Sequence, residues 1–441
     1  MISSVFLVLA MRAGGILLWL LTTLVLARTV SIEEFGLTLL AINIVLLFGH
    51  LSLFGADVSV LRYCSTAWKD AEKSNFRSEF SQGKWIALAG GICAIMVVSL
   101  IVVFKFVEDA RFTPTSMMLI AFCIVVTGQI AVQRTALRSA GRIGEAMMAE
   151  SLLRTLITLV ICGVAALFGY LSFLVFLIAY AIALSVGWLS QIVFLSRLDL
   201  LSGARAKVQS RVKFAMMAWP GDAALVSIQR MPGVLIGVTI DLTTAAVFLA
   251  AERVAQSGVF LIDAVRTVIG PDIAAAKGEE QQAAISLGSS IMFLAGTTGA
   301  FLTLLMGAAF VYLLGDAYTD ALPIIAILLL GQFSYAVLGP TAIIMNMYGL
   351  AKIRSLVAVV SALILIALIL NTSTVHQVAW SYSAVLWLMN LVLAFIIWKK
   401  LGHFTGLSGV RRIDLVNAIK EIQHTAVAKF RKRENNNIQA K

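Results

Sequence analysis

Charge is what this sequence has least of. Only 13% of its 441 residues are Asp, Glu, Lys or Arg, about half the share in soluble domains. No hydrophilic stretch before the C-terminal tail is long enough to fold alone, so a soluble enzyme on an anchor is excluded. With 60% hydrophobic residues, the chain reads as a polytopic membrane protein. Its four cysteines, Cys64, Cys93, Cys123 and Cys162, lack metal or redox spacing and suit packing between helices. The N-terminus lacks a basic leader, and its apolar run exceeds the roughly 7–15 residues of a signal peptide core. A retained span is expected. No aromatic-basic pattern suggests nucleic acid. The net charge of +11 sits mainly in loops and tail, where it orients the protein and meets anionic lipid. No nucleophile–base pair, metal cluster or phosphate-binding glycine loop stands out. We therefore expect no catalysis and no cofactor.

What is present is a series of apolar runs, each near the roughly 20 residues that cross a bilayer as a helix. They predict an all-α integral membrane protein with twelve transmembrane helices, at 5–27, 36–61, 85–106, 114–133, 150–169, 172–195, 214–240, 245–268, 287–314, 322–348, 353–371 and 377–398. The seventh and eighth are the least apolar. With the N-terminus cytoplasmic, inner loops and tail hold 27 of the 34 Lys and Arg, the outer loops three, and spans the remaining four. That asymmetry supports both termini cytoplasmic. The outer segments are too short for an external domain. A polar break then divides the chain into 1–195, a linker 196–213, a second six-helix lobe 214–398, and a basic tail 399–441. In the tail, Ile413, Leu415, Val416, Ile419, Ile422 and Ala426 recur at the spacing of an amphipathic helix on the inner leaflet.

Deep polar residues gather in four spans. Arg12 lies in the first. Asn43, His50 and Asp57 lie in the second, seven residues apart and hence on one face of a continuous helix. The seventh carries Asp222, Gln229 and Arg230 between Pro220 and Pro232, where kinks are permitted. The eighth carries Glu252, Arg253, Gln256 and Asp263. A charge at mid-membrane costs about 2.5–3.5 kcal/mol or more, so it faces protein or water. Spans one and two correspond in order to seven and eight. Two such hairpins facing each other would enclose one charged central cavity between two six-helix lobes. Arg154 lies near an inner end and is expected to snorkel. Arg12, Arg230 and Arg253 are candidate substrate-binding residues; Asp222, Glu252, Asp263 and His50 are candidates for ion coupling. Mutual salt bridges, Glu252 and Arg253 pairing with Arg230 and Asp222, are the structural alternative.

Short marks at span ends resemble a known family. Ala27-Arg28 followed by Ser31, Glu34, Phe35 and Gly36 is similar to its "AR-x-L-x-x-x-EYG" turn. Gly55 with Arg62-Tyr63 looks like its "G…RY". Gly315-Asp316-Ala317-Tyr318, then Ala321 and Pro323, looks like "G-x-x-Y…A-x-P", and Gly349 with Lys352 follows in a similar place. The chain resembles the polysaccharide (Wzx-type) flippases of the multidrug/oligosaccharidyl-lipid/polysaccharide exporter superfamily, over nearly all of 1–405. No family pattern reaches the deep polar residues. The resemblance implies an inner-membrane protein that moves an undecaprenyl-pyrophosphate-linked oligosaccharide outward, driven by a proton or sodium gradient; a monomer is the default expectation. It would meet membrane lipids, a polysaccharide polymerase and chain-length machinery. A multidrug exporter of the same superfamily is the alternative, and a membrane polymerase or ligase a more distant one.

Overall fold

A computed structural model of the chain describes residues 2–103, 113–201, 209–275 and 279–409. Among the described residues every regular element is helical. In chain order they are α1 (Ile2–Thr29), α2 (Ile32–Leu51), α3 (Ala56–Lys69), α4 (Lys73–Val103), α5 (Pro114–Ser139) and α6 (Ile143–Met147), which runs through a π turn (Met148–Leu153) into α7 (Arg154–Leu167). Then come α8 (Phe173–Arg197), α9 (Gln209–Thr239), α10 (Leu242–Ala275), α11 (Glu279–Leu314), α12 (Ala321–Leu338), α13 (Thr341–Met347), α14 (Ala351–Leu370) and α15 (Val375–Leu401). Eleven spans among the described residues are long and apolar enough to cross a membrane. The twelfth traverse is α9, continuous over 31 residues through both Pro220 and Pro232. Its Asp, Gln and Arg residues dilute its hydropathy. The expected amphipathic helix at 413–426 lies outside the described residues.

Helices α1–α8 pack mainly on one another, and so do α9–α15. The seam between the two lobes is made by α2 against α9 and α10. This position explains the composition of α2: Phe35 through Val45 are all buried, so the helix is apolar all round and not on one stripe. Small residues let backbones meet there. A Cβ at Gly36 would lie 2.1 Å from the Leu242 carbonyl oxygen of α10, closer than any side chain can come. At the same end Phe35 meets Tyr318 edge-on, ring centroids 5.7 Å apart, and Arg28 Nε donates to the Leu313 carbonyl at 2.6 Å. These contacts shut the end opposite the basic loops. Hydroxyl caps start the helices: Ser31, Thr113, Ser172 and Thr374 each accept from the backbone N–H three residues on.

Two long predicted spans are interrupted. The second does not run from 36 to 61 as one helix. Its first part ends at Leu51, and the chain turns through Phe54 (φ 43°) and Gly55 (φ 77°) before α3. A Cβ at Gly55 would sit 2.1 Å from the Ala215 carbonyl oxygen, and Trp219 Nε1 donates to the Leu51 carbonyl at 2.9 Å. Cross-lobe packing therefore fixes a break that hydropathy does not mark. Asp57 belongs to α3, and the single face shared with Asn43 and His50 is lost. The tenth span breaks at Gly339 (φ 75°) and Pro340, between α12 and α13.

Residues 402–409 fold back over that second break. Gln282 of α11 holds Phe404 at both backbone groups, donating to its carbonyl at 3.0 Å and accepting from its N–H at 3.2 Å. Gly406 N–H donates to Ser289 Oγ at 3.1 Å. A Cβ at Gly406 would meet the Val337 carbonyl oxygen at 2.1 Å.

Candidate functional site

Between the lobes lies a cavity of about 390 Å³, within the range of about 300–1,000 Å³ usual for ligand pockets. Its lining is drawn from α1, α2, the π turn with α7, α8, α9 and α10. Arg12, Arg154, Arg230 and Arg253 supply positive charge; Glu150 and Asp263 supply negative charge; His50, Gln256, Ser257, Ser151 and Thr155 add polar groups. Arg12 is exposed and the Asp263 side chain is 45% exposed, whereas Leu20 and Ile42 are buried. Exposure thus increases toward the end bearing the basic loops, while the opposite end is packed.

The wall on the α7 side owes its form to the π turn. One extra residue in the turn alters which side chains reach inward, a feature frequent at functional sites. It sets Glu150, Ser151 and Arg154 on the cavity wall. Gly15 of α1 allows the close approach, since a Cβ there would lie 2.3 Å from the Ser151 carbonyl oxygen. Glu150 takes two bonds from Nη1 of Arg134 on α5, at 2.5 and 2.7 Å, both side chains being less than a quarter exposed. A half-buried pair of this kind holds its geometry because breaking it strands a charge.

Arg154 and Arg253 face aromatic rings. Arg253 lies over Trp19, 5.4 Å from the centroid, and Arg154 over Tyr180 at 6.0 Å. Trp19 and Tyr180 are neighbours, centroids 6.3 Å apart. This run of cation and ring positions two guanidiniums without neutralising them. Their hydrogen bonding is incomplete. Nε and Nη2 of Arg253, Nε of Arg154 and Nε1 of Trp19 are all buried without a hydrogen-bond partner. Every one of these is a donor. Such a group is satisfied by a ligand rich in lone pairs, or by water.

Arg230 has partners on both sides of the seam. Its Nη1 donates to Oδ1 of Asn43 on α2 at 3.3 Å and stands 4.0 Å from Oε1 of Glu252 on α10. Glu252 is 7% exposed, does not line the cavity, and accepts from Gln256 Nε2 at 2.8 Å. Its Oε2 has no hydrogen-bond partner.

The residues singled out from sequence fall as follows. Arg12, Arg230, Arg253, His50 and Asp263 line one cavity. Glu252 stands behind Arg230. Asp222 is elsewhere, 3.4 Å from Arg354 Nη2 of α14, so the expected pairing of Arg253 with Asp222 is not formed. Asp263 pairs with Arg266 at 3.0 Å within its own helix. Arg154, expected to snorkel, lies on the cavity wall instead, because the π turn rotates the start of α7 inward. Glu150, Arg134, Trp19 and Tyr180 were not expected. Glu150 stands at the first residue of the expected fifth span, where a carboxylate looks solvated. Arg134 just past the fourth was an anonymous loop charge. Their pairing is long-range and leaves no local signal. The cysteines are free, three of them buried. Among the described residues no cluster of His, Cys, Asp or Glu could hold a metal.

No protein-family model matches this chain, and no curated protein does. Solved structures match in fold. The inward-facing conformation of a multidrug resistance MATE family transporter of the MOP superfamily aligns with 94% of this chain and 99% of its own, at TM-score 0.66 and 14% identity. The outward-facing conformation of a multidrug resistance MATE family transporter of the MOP superfamily covers 90% and 95%, at TM-score 0.60 and 12% identity. A MATE in complex with MaL6 covers the same shares, at TM-score 0.63 and 12% identity. The chain is a multi-pass membrane protein, all-helical among its described residues, with the fold of these structures, two helical lobes around a central cavity. At such identities the likeness concerns the fold, and what crosses the membrane must be argued from the cavity.

Proposed function

We propose that this protein is a transporter, not an enzyme, that moves the anionic headgroup of a polyprenyl-linked oligosaccharide across the bacterial inner membrane. The family resemblance in the sequence names the cargo as undecaprenyl-pyrophosphate-linked. One observation carries the choice of an anion. Four guanidiniums line the cavity against two carboxylates, and both carboxylates are already paired. Guanidinium groups match phosphate oxygens in forked, two-point geometry. A cavity of about 390 Å³ takes a pyrophosphate and the sugars nearest it; further sugars would extend through the open end. The basic loops favour the cytoplasm for that end, the side where lipid-linked sugars are built. The polyprenyl tail would stay in the bilayer.

The multidrug alternative shares the fold. It calls for a free carboxylate to meet a cationic drug. Glu252 is the acidic group nearest to that description, but it sits behind Arg230 and off the cavity wall. Ion coupling would then fall to Glu252, Asp222, Asp263 or His50. Surface glycan synthesis in a polymerase and chain-length assembly is the expected setting, with the protein acting as a monomer.

Two experiments separate the readings. A deletion strain is expected to accumulate lipid-linked repeat units in the inner leaflet and to lose its surface polysaccharide. Purified protein in nanodiscs is expected to bind undecaprenyl-pyrophosphate-linked sugar and to ignore cationic dyes. Unchanged surface glycan in the deletion strain, with dye binding abolished by Glu252→Gln, would establish the multidrug alternative.

A further inference from the structure

His50 closes α2 on the cavity wall and is half-buried. Its Nδ1 lies 2.7 Å from the Leu46 carbonyl oxygen, one helical turn back. A carbonyl oxygen can only accept, so Nδ1 carries the hydrogen of that bond. The tautomer of the neutral ring is thereby set, and Nε2 is left as the one position where a second proton can be added.

The charges around this ring come from every side of the cavity. Glu150 of the π turn, Arg134 of α5 and Arg230 of α9 act on it most directly. Arg12 of α1, Arg154 of α7, and Arg253 and Asp263 of α10 share the cavity with it. Lys84 of neighbouring α4 is turned onto the Phe80 ring, 4.7 Å from its centroid. Glu150 is committed to Arg134 and Asp263 to Arg266. In the empty cavity an imidazolium would add like charge to a cationic chamber. With a dianion bound among the arginines, the same imidazolium would add to the attraction.

We propose that His50 takes up a proton at Nε2 when an anionic headgroup enters the cavity, so that anion binding and proton binding reinforce each other. This rests on the reading above that the cavity takes an anion. The proton comes from water at the open end. Nδ1 keeps its hydrogen and its bond to Leu46, and the ring gains one positive charge. Because the coupling is reciprocal, a ligand that favours the protonated ring must bind more tightly as the pH falls. Headgroup and proton then load together at this site instead of competing for it.

Sulfate is a suitable probe, since it stays a dianion across the range where imidazole titrates. Calorimetric titrations of the full-length protein in nanodiscs would be run at about pH 6 and about pH 8, in buffers of different ionisation enthalpy. Wild-type affinity is expected to fall with rising pH by up to about tenfold per pH unit, with up to about one proton taken up per sulfate. His50→Asn keeps an N–H for the Leu46 carbonyl but cannot be charged; His50→Gln is a second version should the first fold poorly. Both are expected to bind sulfate equally at the two pH values, with no proton uptake. Dependence on pH surviving in both variants would assign the proton to Glu252, Glu150 or Asp263 and overturn the proposal, as would pH-independent binding by wild type. If wild type bound no sulfate at either pH, the anion reading itself would fall.

Discussion

On the proposed reading, Arg253 is the residue on which cargo binding would turn. Two of its nitrogens are buried and unpartnered, and its guanidinium carbon lies 5.4 Å from the centroid of the Trp19 ring. Hydrogen bonds to a charged group contribute about 1.5–3 kcal/mol each. Arg253→Ala is therefore expected to weaken binding of the pyrophosphate-linked lipid by about 10- to 100-fold, measured in nanodiscs, with little change in thermal stability. Arg253→Lys should recover little of this, since an ammonium keeps the charge but loses the fork and the flat stacking face. Equal recovery by lysine would show that charge alone matters. Some of this was legible in the sequence. Arg12, Arg230 and Arg253 stand out because a guanidinium inside an apolar run must face a partner or water instead of lipid. Trp19 and Tyr180 did not stand out, because an aromatic residue in a membrane helix has many ordinary reasons.

At the scale of elements, the π turn and the two helix breaks are the informative features. Glu150→Gln would leave Arg134 without its counter-ion at a site where the pair is less than a quarter exposed. A loss of roughly 3 kcal/mol is expected, read as a drop in thermal denaturation midpoint. The double variant Arg134→Gln with Glu150→Gln should regain part of that loss, since no stranded charge remains. A double variant as unstable as the single one would deny that the pair acts as a unit. Where the strap 402–409 crosses the α12–α13 break, Gly406→Val would drive a side chain into the Val337 carbonyl oxygen. Gly406 also adopts φ 64°, a conformation costly for a β-branched residue. We expect that substitution to free the strap and expose the peptide after Gly402 to limited proteolysis. Neither the π turn nor the break after Leu51 has a sequence mark strong enough to read unaided. Gly55 is one glycine among 32, and its role is created by the Ala215 carbonyl of the other lobe.

For the molecule as a whole, if the proposed transport function holds, the packed end at α2 and the exposed end at α1 correspond to one state of a two-state carrier. Rocking of the lobes about α2 would have to part Gly36 from Leu242 and Phe35 from Tyr318, and to bring α1 and α10 together at the basic end. A cysteine placed at Gln256 in a background with the native cysteines replaced should react with an impermeant thiol reagent from the cytoplasmic side and resist it from the outside. Labelling from the outside alone would reverse the orientation given by the basic loops. Gly36→Val, by wedging the seal open, is expected to shift labelling toward the outer side; unchanged labelling would show that the seal is no gate.

The sequence by itself determined the solvent of this protein, the number of times it crosses that solvent and the rarity of its deep charges. Those properties follow from the cost of placing each residue in hydrocarbon, which is paid locally and can be summed along the chain. Only the tertiary structure decided which charges share a chamber and which are satisfied elsewhere. Asp222 looked equivalent to Glu252, yet one meets Arg354 on α14 and the other Arg230 at the seam. Arg154 looked like a surface anchor, yet the π turn brings it to the cavity wall. Partner choice between helices depends on rotation about each axis and on the approach distance set by small residues such as Gly15, Gly36 and Gly55. Those are properties of pairs of elements, and no single stretch of chain contains them.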